Sequence, residues 1–254
     1  MGTLLLRFAA PLQAWGSSSR FNKRRTEREP TKSAVIGLVA SALGKRRNES
    51  INNLLTLDFG VRIDQPGRLV RDFQTAQMED KGHTFISHRD YLADAVFVVA
   101  LESDDRLSLE KLEQALKNPV FPLYLGRRSC PPVGQLVLGI RDLPLSDALE
   151  QEKWQAAMWY RRKQPKKLWL EVVRDAQVDE QGTFFRRDVP ISFGQEYRQY
   201  GFRSISSQVK AVLVENPDSW QASSRNGRTL PIKNTPHDAF TAAIGGDGNV
   251  SVAT

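Results

Sequence analysis

Two different chemistries are written into the stretch LYLGRRSCPP, residues 123–132. Cys130, the single cysteine of the chain, stands beside Arg127 and Arg128. Neighbouring guanidiniums favour a thiolate, and a thiolate is a nucleophile when a base accompanies it. The three histidines are His83, His88 and His237. None of them stands in the local context of a cysteine hydrolase. The second chemistry is anion binding. Gly126 permits a tight turn with outward N–H groups, and adjacent arginines can fork onto phosphate oxygens. The residues favour the arginines over the thiol, because a free cysteine is most often a small buried hydrophobe. A solvated basic turn is the plain alternative.

Three further groups are candidates. Thr31, Lys32 and Ser33 open an apolar helical stretch, where free N–H groups and the positive helix end meet a lysine. That combination suits a phosphate, although Thr31 or Ser33 could be no more than a cap. Gln13 and Trp15 follow the first apolar run. Trp15 could stack on a base, while the core role fits its ring better. Arg71, His83, His88, Arg89 and Tyr91 lie in one polar, turn-rich region. A histidine there could serve as the base for metal-independent attack by a 2′-hydroxyl; the alternative is a polar hairpin that makes contacts only.

The bulk numbers narrow the partner. The 254 residues carry a formal charge of +7, and the pI is about 9.6. A balance this basic favours a polyanion such as nucleic acid. One cysteine and three histidines leave no basis for a disulfide framework or a structural zinc site. No cofactor or metal is expected. No apolar run approaches the ~20 residues of a membrane helix, so the expected setting is cytoplasmic, with no membrane partner.

The elements that must position these residues follow from periodicity. Residues 3–9 and 55–64 read as strands, as does the apolar run 95–101. Residue 31 onward reads as a buried helix with Thr31 as N-cap and Gly44 as its stop, and SLEKLEQALKNP as an amphipathic helix capped by Ser108. QLVLGIRD is a further strand. The order strand, helix, strand, strand, helix, strand predicts an α+β, ferredoxin-like or RRM-like domain over residues 1–142, a layout that in the RRM binds RNA on an open sheet face. Residues 66–92 are too long for a simple turn between strands and are expected to project as a β-hairpin. A short helical stretch over 146–159 and three strand-like segments predict a small β-rich subdomain over 143–215. Residues 216–254, poor in apolar side chains, are expected to be a loosely held tail.

The motifs LRFAAPLQAWG, PTKSAVIGLVASALG, FGVRIDQPG, DFQTA, YLADAVFVVAL and FPLYLGRRSCPP, taken in order, resemble the Cas-five family of CRISPR-associated proteins in its E-type branch. The resemblance covers about residues 3–140. It implies an RRM-like domain with a hairpin thumb and a role in the type I-E Cascade complex. There the family member binds the 5′ handle of the CRISPR RNA beside the large subunit and the first backbone subunit, with target DNA reached through the complex. Carried over, the handle lies against Arg127 and Arg128, the helix start at Lys32 and Ser33, and the loop after Gln13, while Arg71 to Tyr91 form the thumb. In the E-type branch a separate endoribonuclease cuts the precursor, so a non-catalytic subunit is implied. A metal-independent endoribonuclease that processes its own guide is the alternative, and a scaffold for acidic protein neighbours is a third reading.

Overall fold

The computed structural model describes residues 1–16, 23–77, 84–177, 180, 183–194 and 198–220. In chain order its elements are β1 (Gly2–Ala9), β2 (Leu12–Gln13), β3 (Lys23–Arg24), α1 (Lys32–Ala42), α2 (Asn52–Leu55), β4 (Asp58–Gln65), β5 (Arg68–Gln77), β6 (Thr84–Ala93), β7 (Val96–Ser103), α3 (Arg106–Lys117), β8 (Val137–Arg141), α4 (Leu145–Gln151), α5 (Met158–Arg161), β9 (Lys167–Asp175), β10 (Phe184–Ser192) and β11 (Gln199–Glu215). The result is a mixed α/β fold dominated by its sheets. Among the described residues no helix is long and apolar enough to cross a membrane.

The main sheet, seven strands among the described residues, runs β10-β11-β9-β4-β7-β1-β8. Its centre is apolar on both faces because alternate residues of LLLRFA and VFVVAL point opposite ways. Leu4, Leu6, Phe8, Phe97, Val99 and Leu101 pack with residues of α1 and α3 on one side. Leu5, Val98 and Ala100 pack with Leu145, Ala148 and Leu149 of α4 on the other. The face that an RRM leaves open is therefore covered here. The three C-terminal strands continue this same sheet, since β9 pairs with β4 over Gly60 to Ile63.

Arg62 fixes α4 over that second face. Its side chain is fully buried and forms a two-pronged ion pair with buried Asp64, at 2.7 and 2.9 Å. Its remaining N–H groups donate to the carbonyls of Leu149, Glu152 and Lys153. These oxygens belong to the C-terminal end of α4, where helical carbonyls lack partners and a cation is favoured. All five guanidinium donors are thus used.

Several local expectations are met and others are displaced. Thr31 caps α1 by accepting from the Ala34 N–H, and Gly44, at φ 76°, closes it. The Gly44 and Lys45 N–H groups return to Ser41 and Ala40, the paired bonds of a Schellman end. The cap of α3 is Asp105, not Ser108: the Asp105 carboxylate accepts from the Ser108 N–H, one turn further in. The helical stretch expected over 146–159 is two separate pieces, α4 and α5. β5 and β6 pair antiparallel from Arg68↔Ala93 to Gln77↔Thr84, which is the expected hairpin. The start of the expected tail is tied down, because buried Asn216 donates to the carbonyls of Arg161, Gln164 and Pro165. The rest of that segment, 221–254, lies outside the described residues.

Candidate nucleic-acid interface

A groove with a cationic lining runs along α1. Ser33, Gly37 and Ser41, spaced one turn apart, line it with Ala34 and Ala40, so small side chains leave room. The Schellman end then delivers Lys45, Arg46 and Arg47 into the lining. Tyr124 and Gly126 join from the chain after α3, which is held to α1 by the Val120 and Phe121 N–H groups donating to Ala42 and Ser41. Phe193, Arg198 and Tyr200 come from the C-terminal strands. The cavity measures about 310 Å³. Among the described residues its lining holds four cations and no carboxylate. Cations with tyrosines and small residues suit a phosphate backbone with unpaired bases.

Gly126 leads from this groove into the arginine turn. Its φ is +94°, and a Cβ built there would lie 1.7 Å from the Ala14 carbonyl oxygen. Only glycine fits, which lets the Ala14 N–H donate to Leu125 at 3.1 Å and docks the turn on the chain after β2. The turn closes through Leu125 N–H to Cys130 and Cys130 N–H to Arg127. Cys130 is buried, and burial pushes its thiol above the ordinary value against smaller opposing contributions from Ser129 and Arg127. It packs as a small apolar side chain in the main core. Arg127 lies 4.4 Å over the Tyr91 ring and donates to the Arg24 carbonyl at 2.8 Å. Its other terminal nitrogen is buried and, among the described residues, has no hydrogen-bond partner, and the same holds for Arg89 Nε. Burial pushes the Tyr91 phenol up. Hydrogen bonding with Ser129 and Arg127, together with the Arg127 charge, outweighs this and leaves it below its ordinary value. Arg128 is exposed and, among the described residues, has no hydrogen-bond or ion-pair partner.

The residues singled out in the sequence divide unequally. Arg89, Tyr91, Arg127 and Arg128 are brought together, because β3 pairs with β6 at Lys23↔His88 and Arg24↔Arg89 beside the turn. Ser33 reaches the groove. Arg71 sits on the hairpin, donating to Asp90 at 2.8 Å, and the His88 ring packs near Phe73 there. His83 and His237 lie outside the described residues. Gln13 and Trp15 are fully buried: Gln13 donates to the Ala95 carbonyl at 2.7 Å, and Trp15 stacks on Phe8. Neither can touch RNA directly, so the core alternative is the one the packing supports for Trp15, and Gln13 bridges β2 to the segment before β7.

The helix start at Lys32 also departs from expectation. The Lys32 N–H donates to Asp188 at 3.0 Å, and its ammonium pairs with Asp175 at 2.8 Å. Arg203 bridges the same two carboxylates. Desolvation opposes its charge, but the two carboxylates more than compensate and raise its pKa. The place expected for a phosphate at this helix end is taken by the chain's own Asp188. What the sequence reading passed over is the Lys45-Arg46-Arg47 run. The signal was available, as three cations directly after a glycine helix stop. Tyr124, Arg198 and Tyr200 had no local signal.

The family model described as CRISPR-associated protein (Cas_Cas5) matches residues 3–206. The chain belongs to that family. It is 38% identical over 156 residues to the CRISPR system Cascade subunit CasD of Escherichia coli (strain K12), covering 54% of this chain and 70% of the relative. A chain of a CRISPR RNA-guided surveillance complex superposes with a TM-score of 0.68 at 29% identity, over 82% of this chain and 90% of that one. A crystal structure of a Cas protein gives a TM-score of 0.64 at 35% identity, over 85% and 97%.

Proposed function

We propose that this chain is a non-catalytic, CRISPR RNA-binding subunit of a type I-E surveillance complex, and that the groove along α1 holds the 5′ handle. The observation that carries the reading is the groove itself: Lys45, Arg46, Arg47 and Arg198 beside Tyr124 and Tyr200, with no carboxylate in the described lining. Its occurrence in a member of the Cas5 family, similar to CasD, supplies the polyanion. The arginine turn extends the cationic surface, and Arg89, Arg127 and Arg128 contact the strand as it leaves the groove. Residues 1–142 form the RNA-binding part and 143–215 its extension. The order β4-β7-β1-β8 with α1 and α3 on one face supports the ferredoxin-like, RRM-like reading of that part. RNA binds away from the sheet face, because α4 covers it. The β5–β6 hairpin serves as the thumb against the guide, and the chain meets the large and backbone subunits there and around the groove.

Among the described residues, the engagement of three groups that cleavage could use supports the non-catalytic reading. Cys130 is buried, Tyr91 is covered by Arg127, and His88 packs near Phe73 on the hairpin. The test is the triple change Lys45→Ala, Arg46→Ala and Arg47→Ala, with handle-RNA affinity measured at several salt concentrations. Each lost phosphate contact to a single strand flattens the slope of log affinity against log salt by about 0.7, so the slope falls by about 2. An unchanged slope in a folded variant removes the groove from the RNA path.

A further inference from the structure

A second basic and aromatic surface lies outside the groove. Arg161 to Lys167, RRKQPKK, connects α5 to β9, and no acidic residue occurs between Lys153 and Leu170. The loop is built, not loose. Buried Asn216 donates its side-chain N–H groups to Arg161, Gln164 and Pro165 and its backbone N–H to Lys166. The Ser219 hydroxyl donates to Gln164, and the Trp220 N–H donates to the Arg162 carbonyl at 3.0 Å. Asp218 neutralises Arg161, and Glu215 neutralises Lys167. Arg162, Lys163 and Lys166 are exposed and make no ion pair among the described residues.

Two indoles are held on the same knot. Trp159 is 49% exposed and Trp220 is 79% exposed. The Lys163 ammonium lies 5.4 Å from the Trp159 ring centroid. Neither indole lines the groove. Leaving two tryptophans in water forfeits the burial that usually holds this residue in a fold. Exposed indole faces interleaved with unpaired cations are the equipment of a stacking platform, on which bases lie against rings while cations follow the phosphates. A duplex hides its base faces, and an acidic protein would use the cations and leave the rings without a role.

We infer that the surface formed by Trp159, Trp220, Arg162, Lys163 and Lys166 binds a single strand of nucleic acid, independently of sequence and of the handle groove. The strand meets two stacking positions and a short run of positive charge. The inference goes beyond handle binding and stands whether or not the groove takes the handle.

The test uses the full chain with a deoxythymidine oligomer of about 16 nucleotides carrying bromodeoxyuridine, and a uridine oligomer of the same length. Photo-crosslinks are expected at Trp159 or Trp220, and the two oligomers show whether DNA or RNA is preferred. The pair W159A and W220A weakens oligomer binding about tenfold or more, since stacking on one ring contributes about 1–3 kcal/mol. The pair W159F and W220F restores most of it. R162A, K163A and K166A together flatten the salt slope by about 2. The change of Lys45, Arg46 and Arg47 to alanine leaves oligomer binding at this surface in place, which separates failure here from failure of the groove. Crosslinks confined to the groove or hairpin overturn the inference. So does full oligomer affinity in both the tryptophan and the charge variants. Variants that keep oligomer affinity but no longer enter the assembled complex also overturn it, because the surface is then a protein contact.

Discussion

The two ends of α1 both carry cations, and they differ in the carboxylates that face them. At the N-terminal end, Lys32 and Arg203 face Asp175 and Asp188 in a closed ring, and Asp188 occupies the place where helix N–H groups would receive a phosphate. At the C-terminal end, Lys45, Arg46 and Arg47 line a groove with no carboxylate among its described lining. The helix dipole favours anions at the first end and cations at the second. The dipole explains why each end attracts its own charges, but the ends differ in where their carboxylates lie: Asp175 and Asp188 face Lys32, whereas Glu49 accepts from the Arg46 backbone N–H and is not among the groove's described lining. The cations neutralised by the fold fasten α1 to the C-terminal strands, and those of the groove are the ones proposed to meet RNA.

The contrast can be broken most sharply at Asp188. The Asp188→Ala change leaves Arg203 half-paired and the Lys32 N–H without its acceptor, inside the protein. Removal of one member of a buried ion pair costs about 3–5 kcal/mol, visible as a lower urea midpoint. The same variant should gain more stability than the parent from inorganic phosphate, since the helix start is then vacant. An equal phosphate response in the two proteins would show that this end was never an anion site.

On the groove side the corresponding change is Gly126→Ala. Positive φ alone costs a non-glycine residue about 1–3 kcal/mol, and the overlap with Ala14 adds to it, so the midpoint falls and handle affinity falls with it. Lys32→Met separates the two ends. Stability drops by about 1–3 kcal/mol as a charged hydrogen bond is lost, while the salt slope for handle RNA stays at the parent value. The smallest effect belongs to Arg128→Ala: stability unchanged, and a slope flatter by about 0.7 if this exposed guanidinium touches one phosphate.

What could be read from the sequence was local. Thr31, Gly44 and the alternation in VFVVAL carry their structural instructions within a few residues, so α1, β1, β7 and the hairpin were legible. The turn at Gly126 was legible for the same reason. Partners at long range were not. Lys32 looks like a phosphate ligand until Asp175 and Asp188, more than 140 positions away, are folded onto it. Gln13 looks like a loop amide until the Ala95 carbonyl takes its proton. The joining of β9 to β4 has no local signature either: each strand has one apolar face, Phe59, Val61 and Ile63 in β4 and Leu168, Leu170 and Val172 in β9, and either could have closed a separate sheet. The KRR run at Lys45 was legible, as three cations directly after the glycine stop of α1.

Gly37 and Ser41 are synthesised early, yet the groove beside them is finished by Arg198 and Tyr200 from the far end of the sheet. A ribosome must therefore release most of the chain before β9, β11 and β10 can dock and complete the lining. A nascent or truncated protein has the cations of the KRR run but not the finished cleft. On the proposed reading, guide uptake must therefore wait for the last strands to be translated and docked.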